Sequence, residues 1–336
     1  MAGAARRFNG WGTLGLFWVV LLLLLAAGAA ALQLAGPPRM APEIATEHPA
    51  PLAETAAPAT DPAAAPVGVP IAAPIAALLE PSKAFPPAVL PKAAADGRVA
   101  RIVYARAFDQ SDTRPRIALV MTGLGMSEAD SRAAIQALPG AVSLSFSPYA
   151  GNIEALLDLS RKAGHEMLVS VPLEPQGYPL NDAGSRSLLT GATPQQNAAN
   201  LEWVLGRFAG YVGAIGALDG MRGERFAEQT SLLKVLQDDV TRRGLLYVDP
   251  RPGRTGKPDA PVRGIDLVVD DPPARAEIEA KLAALERLAR EKGSAVGLAG
   301  PLRPVTVERV AAWARSLSER GIALAPISAV TSGAGR

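Results

Sequence analysis

Short apolar runs recur along the carboxyl-terminal two thirds of the chain: IALVM (117–121), AVSLSF (141–146), EMLVSV (166–171), YVGAIGA (211–217), LLYV (245–248), IDLVV (265–269), AVGL (295–298) and IALA (322–325). Between most of them, apolar residues return every three or four positions, over 127–138, 150–163, 194–208, 227–243, 273–292 and 305–319. That is the helical period. Strand and helix in near-strict alternation predict an α/β fold on a parallel sheet, open or closed into a barrel.

Boundary residues agree with this pattern. Ser127 precedes Glu128 and Asp130 as a helix cap with acids in the first turn, and Thr193-Pro194 is a cap followed by proline at the first helical position. Gly164, Gly244, Gly293 and Gly321 each stand between a helix and the next strand, where a left-handed residue closes the helix. The segment PLEPQGYPLNDAGSRSLLTGA (172–192) is polar and rich in Gly and Pro, and reads as a rim loop over the carboxyl edge of the sheet.

The amino end has a different pattern. After Arg6 and Arg7, residues 11–35 carry no charge. At 1.5 Å per residue such a helix spans roughly 37 Å, enough for a hydrocarbon core of ~30 Å. The expected organisation is a cytoplasmic end (1–10), a transmembrane signal anchor (11–35), a Pro/Ala-rich linker (36–113) and a folded domain (114–331). The arginine pair places the carboxyl-terminal domain outside the cytoplasm, in the periplasm of an inner-membrane, single-pass protein. The small residues of AAGAAAL (26–32) leave open secretion to the periplasm after signal cleavage. The linker has too many prolines for helix and too little bulky apolar surface to offset its ordering entropy, so a disordered, polyproline-like spacer is expected. Within it VGVPIAAPIAALL (67–79) reads as linker or as a docking segment.

Charge and composition then narrow the chemistry. The net charge is +2 with both signs interspersed, and aromatics make up 5%. No basic tract or stacking platform points to nucleic acid. Cysteine is absent, which removes disulfides, thiolate metal sites and Cys nucleophiles. The histidines are His48, in the spacer, and His165, at the start of a strand. One His cannot build a His-rich zinc site or serve a Ser-His-Asp triad from the wrong edge of the sheet, and G-x-S-x-G is missing. GLGMSE (123–128) lacks the third Gly of a dinucleotide loop, so no nucleotide is expected.

The acids left near strand ends are Glu174, Asp219, Asp249 and the pair Asp270-Asp271. Asp271, before two prolines, reads most simply as a helix cap. Asp249 ends a strand with Arg251 beside it, an Asp–Arg pair facing a groove or a turn salt bridge. Asp219 and Arg225 lie on a Gly-rich rim loop, where function and turn-making are both open.

AGHEMLVSVPLEPQGYPLNDAGSRSLLTG (163–191), RGERFAE (222–228), RGLLYVDPRPG (243–253), GSAVGLAGPLRP (293–304) and GIALAPISAV (321–330) together resemble the divergent polysaccharide deacetylase family, over essentially the whole folded domain. The resemblance implies a deformed (β/α) barrel of parallel strands akin to carbohydrate esterases. It also marks departures. Where the family usually carries Asp-Asp-Leu-Gly, this chain has Thr122-Gly123-Leu124-Gly125, and the family's His before P-L/M-E-P is Ser170. The His before its M-G-S-R-F phrase aligns with Met221, and the late G-H-P becomes Ala299-Gly300-Pro301. Metal-dependent deacetylation needs those His and Asp residues to hold a metal and activate water.

The resulting expectation is a carbohydrate-linked protein of the cell envelope without metal-dependent catalysis, binding an envelope glycan or an envelope protein, with no cofactor and no metal. Its ligand-binding candidates are Glu174, Asn181, Asp182, Asp219, Arg225, Asp249 and Arg251. Two alternatives stand beside it: a hydrolase using the carboxylates of Glu174, Asp219 and Asp249 without zinc, and a protein-binding scaffold with an apolar surface.

Overall fold

The computed structural model describes residues 10–35, 71–254 and 260–331. The expected cytoplasmic end, apart from Gly10, and residues 36–70 of the spacer with His48 lie outside the described residues. Two units separate along the chain, Met1–Thr60 and Asp61–Arg336.

In the first unit the uncharged run forms one helix, α1 (Gly10–Ala35). Among the described residues no helix is long and apolar enough to cross a membrane.

The second unit begins earlier than its sequence suggests. From Ile71 the chain runs through β1 (Leu79–Pro81) and β2 (Val89–Pro91), an antiparallel pair, to the short helix α2 (Ala100–Val103). Ile71, Leu78, Leu90, Ala94, Ala100 and Tyr104 are buried in the main hydrophobic core. The linker expected over 36–113 therefore ends by residue 71 within the described chain. Its Pro/Ala composition hides a few large apolar anchors spaced along an extended strap, and prolines fit a two-stranded edge without losing ladder bonds. Polar ties hold the strap as well: Ser82 donates to Glu202 at 2.6 Å and Arg243 donates to Glu80 at 2.9 Å.

The rest alternates as the sequence predicts. Strands β3 (Arg116–Leu124), β4 (Ser143–Phe146), β5 (Met167–Ser170), β6 (Gly213–Ile215), β7 (Leu246–Asp249), β8 (Val262–Gly264), β9 (Leu267–Val268), β10 (Ser294–Ala299) and β11 (Ala323–Leu324) form one nine-stranded sheet. All its pairings are parallel, in the order β8-β7-β6-β5-β4-β3-β10-β9, with β11 also on β3. Parallel strands are covered on both faces, which is why they read as continuous apolar runs. The two ends of this order, β8 and β9, are successive pieces of one segment. Ile265 N–H bonds Asp249 O at 3.0 Å on one side, and Asp266 N–H bonds Val296 O at 2.8 Å on the other. The architecture is α/β, a parallel sheet curled so that its two terminal strands come from one stretch of chain.

The helices are α3 (Glu128–Ala137), α4 (Glu154–Ala163), α5 (Pro194–Leu205), α6 (Glu224–Glu228), α7 (Thr230–Arg242), α8 (Arg275–Lys292), α9 (Pro304–Ser316) and α10 (Ile327–Val330). Ser127 caps α3 through Asp130 N–H, and Thr193 with Gln196 makes a capping box on α5. A cap of this kind contributes about 1 kcal/mol. Gly164, Gly244, Gly293 and Gly321 all have positive φ, as their joints require. The single helix expected over 227–243 is two, because the chain turns at Gln229. Asp271 does not cap α8; Ala274 holds that position.

His165 is fully buried, with Nδ1 2.8 Å from Val142 O and Nε2 3.1 Å from Ile135 O. Burial pulls its pKa down, so the ring is a structural link between α3 and β4. Its neighbour Glu166, also fully buried, accepts from Arg106 N–H at 2.9 Å, from Ser328 N–H at 3.1 Å and from the Ser328 hydroxyl. It ties the strap, β5 and α10 together.

Candidate functional site

The carboxyl ends of β3, β5, β6 and β10 meet at one edge, the part of an open α/β sheet where ligands bind. At the end of β3 the pairing with β4 shifts register between Met121 and Leu124, so Thr122 and Gly123 form an irregularity at the edge. Thr122 is buried and its hydroxyl donates to Ala299 O at 3.1 Å. Gly123 has φ +88°, and a Cβ there would lie 2.8 Å from Leu302 N and 3.5 Å from Asp219 Oδ1. Gly300 has φ +138°, and a Cβ on it would lie 2.0 Å from Thr122 Oγ1. Ser170, at the end of β5, shares a 2.8 Å hydrogen bond with Ser145 of β4, both buried.

These positions are packed against one another. The Gly300–Leu302 loop occupies the room that a side chain at 123 would need, and Thr122 fills the room at 300. The loop is held from behind by Asp270, which the sequence pattern does not single out from its neighbour Asp271. Asp270 is buried and accepts from Gly300 N–H at 3.0 Å and from the Thr306 hydroxyl at 3.1 Å. Burial holds its carboxyl above the usual range in spite of those donors.

Asp219 faces this edge from the other side. Leu218 and Met221 exchange backbone hydrogen bonds of 2.9 and 2.8 Å across Asp219-Gly220. Both central residues have positive φ, +47° and +86°, as a two-residue type I′ turn demands. Asp219 thus makes the turn and also brings its carboxylate to the edge. It is exposed at the mouth, yet enclosed enough that desolvation moves its pKa upward. Met221, half-buried, closes the turn.

The donors at this edge do not make a metal site. Thr122, Ser145 and Ser170 are neutral hydroxyls already bonded, Gly123 and Gly300 have no side chain, and Asp219 supplies a single carboxylate. Among the described residues no cluster of three or more His, Cys, Asp or Glu could hold a metal ion.

The remaining candidates fall into two other places. Glu174, buried just beyond β5, accepts from Arg225 Nε at 2.9 Å and from Thr190 N–H. Arg225 also donates to Tyr178 O at 3.5 Å, and Phe226 N–H donates to Glu174 O at 3.1 Å, which pins α6 to the 172–192 loop. This pair lines an open groove of about 720 Å³ between that loop and α5, shared with Arg186 and Asn200. Asp249, buried at the end of β7, holds Arg251 in a bidentate pair, Nε–Oδ1 3.0 Å and Nη2–Oδ2 2.7 Å. That pair lines a separate, smaller cavity of about 240 Å³. Glu174, Asp219 and Asp249 are therefore not brought into one cavity, and two of the three are bound to arginine. Asn181 and Asp182 are exposed and make turns: Asn181 Nδ2 donates to Gln176 O at 2.8 Å, and Asp182 Oδ1 accepts from Gly184 N–H at 2.9 Å.

Residues 119–331 match the family described as divergent polysaccharide deacetylase. The chain belongs to that family. Among solved structures it is similar to an uncharacterized protein, ATU2773, from Agrobacterium tumefaciens C58, at 31% identity and a TM-score of 0.67, over 73% of this chain and 100% of that one. It is more distantly similar to the family 4 carbohydrate esterase from Streptomyces lividans in complex with acetate (12% identity, TM-score 0.37, 63% of this chain and 92% of that one). A similar distance separates it from the catalytic domain of a peptidoglycan N-acetylglucosamine deacetylase from Eubacterium rectale ATCC 33656 (13%, 0.39, 67% and 96%). No curated protein sequence matches the chain.

Proposed function

We propose that this divergent polysaccharide deacetylase is an envelope protein that binds glycan without metal-dependent deacetylation, with its folded unit in the periplasm. The observation that carries the reading is the closure of the strand-end edge: Thr122, Ser170, Gly123 and Gly300 are bonded or packed to their neighbours, and Asp219 is the carboxylate that remains. A lone carboxylate can accept a hydrogen bond from a sugar hydroxyl but cannot assemble the metal that polarises an acetyl carbonyl. Membership of a polysaccharide deacetylase family supplies the link to carbohydrate. The open groove beside the edge, lined by arginine, tyrosine, amide and hydroxyl groups, suits a polar ligand.

The test is calorimetric titration of the full chain with chitooligosaccharides and peptidoglycan fragments, with acetate release followed on the same samples. The account expects binding without release. Acetate release that a chelator abolishes overturns it.

A second reading, docking of an envelope protein, is favoured by one feature. Ala133, Ala137, Val307 and Ala311 line an apolar groove of about 370 Å³ between α3 and α9. Glycan titrations without heat, together with capture of an envelope protein that Ala133→Arg abolishes, select this reading.

A further inference from the structure

The groove between the 172–192 loop and α5 holds a positive charge that no carboxylate among the described residues answers. Its buried carboxylate, Glu174, is already answered by Arg225 at 2.9 Å and by Thr190 N–H. Its second guanidinium, Arg186, makes no ion pair among the described residues. Arg186 is instead held by aromatic faces, with Cζ 5.4 Å from the Phe85 ring centre and 5.3 Å from that of Trp203. Its backbone N–H donates to the Tyr149 hydroxyl at 3.0 Å. Trp203 is braced in turn by Arg207 at 4.8 Å and by Tyr149 at 5.7 Å between ring centres. Asp182, a nearby acid on the same loop, is engaged with Gly184 N–H and makes no ion pair with Arg186.

This arrangement has a chemical consequence. A cation–π contact engages the charge of a guanidinium without consuming its N–H donors. An arginine fixed by aromatic rings thus keeps its planar fork available at reduced entropic cost, which is the geometry that grips a carboxylate with two parallel hydrogen bonds. Around it, Tyr178, Thr190 and Asn200 line the same groove with groups that can pair with hydroxyls and amides.

We propose that this groove selects a saccharide carrying a carboxylate, with Arg186 as the residue that recognises the acid. The inference rests on the glycan-binding reading above and narrows its ligand class. Neutral sugars meet the polar lining, whereas an acidic sugar also neutralises the free guanidinium.

The test uses the full chain and three probes of one length: chitotetraose, a tetrasaccharide of alternating N-acetylglucosamine and N-acetylmuramic acid, and the same tetrasaccharide with each carboxylate converted to carboxamide. The expected result is binding of the acid about tenfold tighter than the carboxamide, a preference that shrinks as salt rises. Arg186→Gln should abolish the preference, bringing binding of the acid down to that of the carboxamide. Arg186→Lys, which keeps the charge and loses the fork, should retain part of it. Equal binding of acid and carboxamide, or a preference that survives Arg186→Gln, overturns the acidic inference and leaves glycan binding standing. No binding of any probe overturns both.

Discussion

The strand-end edge and the loop groove lie on the same side of one sheet, yet their polar groups are used in opposite ways. At the edge, Thr122 is bonded to Ala299, Ser145 to Ser170, and the Gly300 loop to Asp270. Polar capacity there is spent inside the protein. In the groove, a buried acid is paired with one arginine, while another lies on aromatic faces and makes no ion pair among the described residues. One sheet therefore carries an edge whose polar groups are satisfied internally and, beside it, a charged groove. Function has to be sought where polar groups remain unspent, because a buried donor or acceptor already satisfied offers a ligand little.

The largest test of this contrast removes the strap, whose Phe85 flanks Arg186. Deleting residues 71–99 strips Leu78 and Leu90 from the core and Phe85 from Arg186. At about 1.5–3 kcal/mol per buried large apolar side chain, the two leucines alone contribute about 3–6 kcal/mol, and the loss should show as a collapse of the thermal transition. A chain beginning at residue 71 should melt like its parent above the linker.

Next comes the edge itself. Gly300→His would drive a side chain into Thr122, and Gly123→Asp would put one into the Leu302 backbone at positive φ. Each should cost about 3 kcal/mol or more in denaturant unfolding and should not create a zinc site. Glu174→Ala, in the groove, leaves Thr190 N–H and Arg225 without their acceptor, and an expected loss of about 2–3 kcal/mol follows. Glu174→Gln is the sharper variant, since releasing Arg225 should strengthen binding of the acidic tetrasaccharide even as stability falls.

A pH experiment separates the buried acids from the surface ones. Burial raises the Glu166 pKa above its ordinary 4.5. The folded state then holds that proton more tightly than the unfolded chain, so the contribution is fully present below about 4.5 and is lost as pH rises. The stability deficit of Glu166→Gln relative to the parent should accordingly be smaller at pH 7.5 than at pH 4.5. A deficit that grows with pH would mean that Glu166 is ionised and held by its donors. The smallest effect belongs to Asp219→Asn, which preserves the left-handed turn and should change stability by less than about 0.5 kcal/mol.

Much of the fold was legible because parallel strands write themselves as apolar runs and helix ends write themselves as caps. Ser127, Thr193 and the glycines at 164, 244, 293 and 321 mark joints that the structure contains. The strap was not legible. Its anchors, such as Leu78, Leu90 and Tyr104, are separated by prolines and alanines, and no period betrays residues that dock singly on a finished surface. At the site, the Glu174–Arg225 and Asp249–Arg251 pairs involve residues that the strand-end pattern marks, while Asn181 and Asp182 proved to be turn-makers. Arg186 carried no signal, because what distinguishes it is a lack of any ion-pair partner among the described residues together with two aromatic neighbours distant in sequence. Asp270 was hidden by Asp271, which stands beside it and looks like a cap. Such features are products of tertiary approach, and local spacing does not encode them.

The most direct test of the central claim is zinc uptake by the purified full chain in equilibrium dialysis, read by metal mass spectrometry. The closed edge predicts less than ~0.1 zinc per chain at micromolar free metal, because a three-ligand set of His or carboxylate is needed to compete with water. One zinc per chain, lost on Asp219→Asn, would contradict the account and return this domain to metal-dependent hydrolysis.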